Sequence, residues 1–215
     1  MIPLIAISLL QVAPDQPRFP PKGSPEQRAN YERGQARQFR FEQRNFIKAG
    51  LAPLEALRSQ NRSVKRAFFV DAYGLFSIPA LEIERLKHGR VVIRIVKRSG
   101  ASTEANLRTS DWDLLTRLQG SLFRLKPYVA WDPSEDLPGP IGPPPPVCHG
   151  WYARFGLADE TGLGSGGWSQ CGDGRNSPEY AFMSEMARLA VSNQKQCRFD
   201  PAHAAESFSG CFREG

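Results

Sequence analysis

The sequence predicts an α+β fold: an antiparallel sheet with flanking helices, followed by a disulfide-stapled C-terminal hairpin and helix. Three observations support this prediction. Apolar residues alternate along the segment from residue 64 to residue 96, helical apolar stripes follow it, and all four cysteines lie in the last third of the chain. With 215 residues, 40% of them hydrophobic, the chain is long enough to bury a core.

Residues 1–13 are uncharged and largely apolar, which favours a signal peptide, because the run is too short to span a bilayer. No Lys or Arg precedes the apolar run, and Gln11 is a poor residue before a cleavage site at Ala13, so a buried strand or a misplaced start codon is the alternative. An even number of cysteines without a CxxC motif favours disulfides formed outside the cytosol. We therefore expect a periplasmic or secreted protein without a transmembrane segment.

A proline-rich leader, residues 14–23, precedes a helix that is predicted to begin at Pro25, with Ser24 as its N-cap, and to end at Gly50. At about 100° per residue, five cations of this helix fall within a sector of about 80°. We call these residues the basic ridge: Arg33, Arg37, Arg40, Arg44 and Lys48.

The positive charge is concentrated in the N-terminal third of the chain. Residues 18–66 contain twelve Lys or Arg and four Asp or Glu, a net charge of +8, whereas the whole chain carries +6. A row of cations of this kind can bind anionic headgroups, polyanionic glycans or nucleic acid. A solvated helix face is the alternative, and in an exported protein nucleic acid is the least expected partner.

The next elements are a short helix over residues 51–60, a strand over residues 63–73 and a hairpin over residues 81–96. A three-residue hairpin loop, Lys87 to Gly89, places apolar residues on one face and sets Glu82 opposite Arg94 on the other. The pairs it predicts on the first face are Arg85 with Val91, Ile83 with Ile93, and Leu81 with Ile95. A two-residue loop would mix the two faces. The face that carries Glu82 and Glu84 is expected to meet solvent.

Residues 110–113 suggest a capping box with Ser110 as N-cap, and the helix that follows is predicted to pack on the sheet from Trp112 to about Lys126. These elements make up a first part, residues 24–131. Residues 132–146 form a proline-rich connection that favours polyproline II. Residues 147–215 form a two-disulfide part with a hairpin and a helix.

In that last part, pairing Cys148 with Cys171 across the hairpin also places Trp151 opposite Trp168. By elimination, Cys197 pairs with Cys211. Between them, Ser177 is the expected N-cap of a helix that begins at Pro178. Its apolar stripe comprises Phe182, Met183, Met186, Leu189 and Ala190.

No motif predicts a cofactor or a metal. The glycine cluster at residues 162–167 lacks the helix start and the Lys-Ser/Thr ending of a phosphate loop, and the wide gaps between the cysteines do not suit a zinc site. Disulfide bonding would remove Cys148 as a nucleophile or ligand.

We therefore expect an exported, non-enzymatic module that binds an envelope surface or a protein partner. The alternatives are an exported hydrolase with a site near His149, oriented by Asp173 or Glu179, and a secreted inhibitor or effector.

Overall fold

The computed structural model describes residue 47 and residues 50–71, 79–97, 99–122, 126–127, 150–170 and 174–212. The helices with bounds in this part of the chain are α1 (Leu54–Ser59), α2 (Thr109–Gln119), α3 (Pro178–Ser192) and α4 (Ala204–Phe212). The strands are β1 (Ser63–Asp71), β2 (Ala80–Arg85), β3 (Val91–Val96), β4 (Ser102–Leu107), β5 (Lys126–Pro127), β6 (Trp151–Asp159) and β7 (Gly162–Ser169).

The strands form one antiparallel sheet in the order β4-β3-β2-β1-β6-β7-β5, which confirms the predicted α+β class with flanking helices. Strand β1 pairs with β2 on one side and with β6 on the other. The C-terminal hairpin therefore extends the sheet that the earlier strands begin.

The β2–β3 hairpin has the predicted register. Arg85, Ile83 and Leu81 lie opposite Val91, Ile93 and Ile95, and Glu82 lies opposite Arg94. A short 3-10 turn, Lys87–Gly89, closes the loop. Gly89 has a φ of +80°, the left-handed conformation for which glycine is favoured.

One face of the sheet is covered by α2, α3 and α4 and holds the main core. Phe69 and Phe155 of the sheet stack against Phe208 of α4 and Phe182 of α3, with ring centroids 4.7 and 5.3 Å apart. All five residues of the predicted α3 stripe are buried, and the Ser177 hydroxyl accepts from the Tyr180 N–H at 3.1 Å, as the predicted N-cap requires. Trp112 and Leu115 of α2 are buried in the same core.

Helix α2 begins and ends earlier than predicted. Its N-cap is Arg108, and the carboxylate that accepts from the N-cap N–H, at 3.1 Å, belongs to Asp111. The predicted N-cap, Ser110, lies inside the first turn instead. A carboxylate three residues after the N-cap favours the helix start, so the chain uses the first of its two aspartates for this role. Helix α2 then ends at Gln119, with Gly120 after it.

The β6–β7 hairpin has a different register from the predicted one. Trp168 lies opposite Ala153, and not opposite Trp151, so the pairing is shifted by two residues. The Asp159 side chain explains the shift, because it accepts from the N–H groups of Thr161 (2.8 Å) and Gly162 (3.2 Å) and so closes a two-residue loop.

The glycine cluster belongs to β7 and is explained by packing. A Cβ at Gly166 would lie 2.4 Å from the Phe155 ring, and one at Gly156, on the neighbouring strand, 2.6 Å from Leu54 Cδ1. Glycine at these two positions lets large side chains lie flat on the sheet.

The predicted disulfide between Cys197 and Cys211 is present, with the two Cα atoms 5.6 Å apart. It joins the end of α4 to the segment that follows α3, and both cysteines contact the main core. Cys148 and Cys171 lie outside the described residues.

Candidate functional site

The binding residues predicted from the sequence lie outside the described part of the chain. This applies to the whole basic ridge, Arg33, Arg37, Arg40, Arg44 and Lys48, and also to His149 and Asp173. The ridge stays a prediction. The described residues instead contain three charged features that the sequence did not predict as sites.

The first feature is a row of alternating charges across four strands, which we call the charge ladder. The strand registers place Arg66 opposite Glu82, Glu82 opposite Arg94, and Arg94 opposite Glu104. Glu82 Oε2 accepts from Arg66, and Glu82 Oε1 accepts from Arg94 Nη1 at 3.1 Å. Arg94 Nη2 also donates to Glu104 Oε2 at 3.0 Å.

The burial of this face corrects the prediction that Glu82 and Glu84 meet solvent. Both are buried, at 2% and 1% exposure, because α1 and the segment before it cover the strands here. Arg66 Nη2 donates to the carbonyl of Ala52 at 2.9 Å and so ties that segment to the sheet. Buried carboxylates are stable when every oxygen is matched by a donor, and Glu82 meets that condition.

Glu84 is matched in the same way by Arg62, which lies just before β1. Arg62 Nε and Nη2 donate to the two carboxylate oxygens of Glu84. This hydrogen bonding raises the pKa of Arg62 above its ordinary value, and burial acts in the opposite direction. The planar fork of the guanidinium fits a carboxylate, which fixes the position of Arg62 beside the ladder.

The second feature is a cleft of about 450 Å³ between the ladder and the segment that precedes α1. Its walls carry Leu51, Leu57 and Val96, which are apolar, together with Arg62, Arg94 and Glu82. A volume of this size falls in the range of small-molecule sites.

The third feature is a set of exposed basic residues at one end of the sheet, which we call the basic tip: Arg85, Lys87, His88 and Arg90. They surround the β2–β3 turn, and no carboxylate of the described residues lies within ion-pair distance of them. The signal in the sequence was the run KHGR in a hairpin loop.

Lys65 is a buried cation on the helix-covered face of the sheet. Its Nζ lies 4.3 Å from the centre of the Trp112 ring and donates to Gln119 Oε1. Gln119 Nε2 in turn donates to Asp159 Oδ2 at 2.8 Å. Burial lowers the pKa of Lys65 to about 8, and the charge of Asp159 acts against that shift. Burial alone would raise the pKa of Asp159, but hydrogen bonds from Thr161 and Gln119 lower it.

The low pKa of Lys65 predicts that the protein is more stable at mildly alkaline pH. Below pH 8 the amine is charged in both the folded and unfolded chain, whereas above pH 8 only the unfolded chain binds the proton, up to its ordinary pKa of 10.5. We expect this group to raise the free energy of unfolding by about 2 kcal/mol between pH 7 and about pH 9.5.

Urea titrations of wild type and Lys65→Met at several pH values measure this effect. The variant has a flatter pH dependence and is at least as stable as wild type at pH 7, because it no longer buries a cation. Lys195→Met, at an exposed position, serves as the control and keeps the wild-type profile. Parallel profiles for wild type and Lys65→Met would contradict the prediction.

The described residues contain no cluster of His, Cys, Asp or Glu that could hold a metal ion. Among the helices of the described ranges, none is long and apolar enough to cross a membrane. No family model, curated protein or solved structure matches the chain.

Proposed function

We propose that the protein is an exported, non-enzymatic module that binds an anionic envelope surface through the basic tip. The observation that carries this proposal is the concentration of exposed Arg85, Lys87, His88 and Arg90 on one hairpin turn without a described carboxylate beside them. Cations on a projecting turn can approach phosphate or carboxylate groups of a surface together. Each Lys or Arg contributes about 1 kcal/mol near an anionic membrane.

The disulfide between Cys197 and Cys211 supports the exported part of the proposal, because such bonds persist in oxidising compartments. The basic ridge that the sequence predicts would add a second cationic surface in the same chain. If both act on one partner, their contributions to binding add, and the affinity depends steeply on salt.

Co-sedimentation with vesicles of phosphatidylglycerol and phosphatidylcholine tests the proposal. We expect wild type to bind the vesicles that contain phosphatidylglycerol at low salt and to be released as salt is raised. Changing Arg85, Lys87 and Arg90 to Glu lowers the partition coefficient by about tenfold or more.

A charge-matched control separates the basic tip from net charge. Arg175, Lys195 and Arg198 are exposed cations elsewhere on the protein, and changing these three to Glu alters the net charge equally. We expect a smaller loss of binding in this control.

A third variant changes Arg37, Arg40 and Arg44 to Glu. Loss of binding in that variant alone would show that the basic ridge, and not the basic tip, binds the vesicles. Equal binding by all variants would refute the proposal.

A further inference from the structure

In its described wall, the cleft beside the charge ladder offers arginine donors to an anion, and the carboxylate of Glu82 there is already engaged. Both oxygens of Glu82 are engaged, by Arg66 and Arg94, and both oxygens of Glu84 are engaged by Arg62. A cation entering the cleft would have to displace an arginine from a buried carboxylate, which is costly.

The two arginines in the cleft wall retain donor capacity. A guanidinium has five N–H donors, and the side chains of Arg62 and Arg94 are 33% and 30% exposed. Their carboxylate partners, Glu84 and Glu82, are two residues apart on one face of β2. Two residues of strand rise are about 6.6 Å, so both guanidinium groups lie along one side of the cleft.

The ladder is weakest at its outer end. The pair of Arg66 and Glu82 is buried, at 3% exposure of each side chain, whereas Glu104 is 49% exposed on strand β4. An exposed ion pair contributes about 0–1 kcal/mol, because water competes for both charges. Another anion can therefore replace Glu104 at Arg94 while the buried part of the ladder stays intact.

We propose that the cleft binds a small organic carboxylate, whose anionic group replaces Glu104 at Arg94 and whose apolar part lies on Leu51, Leu57 and Val96. The planar carboxylate fits the guanidinium fork, and the apolar wall selects a ligand with a hydrocarbon group beside its charge. This site goes beyond the proposed surface binding and uses different residues from the basic tip, so either proposal can fail alone.

N-acetyl-L-leucine and its uncharged amide, N-acetyl-L-leucinamide, are matched probes for the full chain. We expect isothermal titration calorimetry to detect the acid and to show at least about tenfold weaker binding of the amide, because only the acid forms charge-assisted hydrogen bonds. Amide shifts of Gly50 and Gly100, both in the cleft wall, locate the bound acid by NMR. Equal binding of acid and amide, or binding of inorganic phosphate without the acid, would overturn the proposal.

Two variants test the displacement of Glu104. Arg94→Met weakens binding of the acid by at least about tenfold, and Glu82 still has Arg66 as its partner. Glu104→Gln is at an exposed position and removes the competing charge, so it binds the acid about threefold or more tightly. Arg117→Met, an exposed change on α2, leaves the affinity unchanged. Unchanged or weaker binding by folded Glu104→Gln would refute the displacement.

Discussion

Arg62→Met is expected to lower the free energy of unfolding by about 3–4 kcal/mol, because it leaves the carboxylate of Glu84 buried without a cation. Glu84 is 1% exposed, and Arg62 is the donor to both of its oxygens in the described structure. The desolvated charge that remains on Glu84 therefore accounts for most of the loss of stability. This loss exceeds the net contribution of the intact ion pair to the free energy of unfolding. Chemical denaturation at pH 7 measures it.

The double variant Arg62→Met, Glu84→Met separates these two contributions. Removing both charges leaves an apolar pair on a covered face, so we expect it to regain most of the lost stability. Arg58→Met, an exposed change in the last turn of α1, is the matched control and changes stability by less than about 0.5 kcal/mol. A double variant as unstable as Arg62→Met would show that the arginine stabilises the fold through its packing alone.

Replacing Cys197 and Cys211 together by Ser is expected to cost about 3 kcal/mol. The disulfide closes a loop with a sequence separation of 14 and ties α4 to the segment that follows α3, so its loss increases the freedom of the unfolded chain. Thermal and denaturant unfolding without reductant measure the difference from wild type.

Gly210→Ala is the control for the helix itself. Gly210 lies next to Cys211 in α4, and nothing is within 4 Å of an added methyl group. Alanine favours a helix over glycine by about 1 kcal/mol in exposed positions, so this variant is expected to be no less stable than wild type. If the double serine variant matched wild type, the docking of α4 would not depend on the covalent bond.

The parts of the fold that were predicted correctly are those whose structure is determined by residues close together in the sequence. The β2–β3 register followed from one loop length, because a shift by one residue would have placed Ile83 opposite Arg94. The start of α3 followed from Ser177 and Pro178, whose preferences for the helix start agree.

The β6–β7 register was missed because a shift of two residues leaves every side chain on its own face. Alternation along Trp151–Asp159 and Gly162–Ser169 therefore suits both registers equally well. The hydrogen bonds that the Asp159 side chain accepts in the turn favour the observed register, and the alternation of residues along the strands does not reveal these bonds.

The charge ladder was missed for a different reason. Glu82 and Arg94 were recognised as neighbours, but burial of their face depends on α1 and on Arg66 from another strand. Alternating polar residues in a strand usually face water, so the local pattern predicts exposure. The cleft depends on the same long-range packing. It therefore could not be found before the strand order was known.

The position of β1 also constrains when the protein can finish folding during its synthesis. A ribosome releases the chain from its N-terminus, so β1 to β4 and α2 are complete long before β6 exists. Until then one edge of β1 has no partner strand from β6, and an uncovered edge in a nascent chain favours intermolecular association. The β6–β7 hairpin, which is synthesised late, therefore covers this edge of β1 from within the same chain.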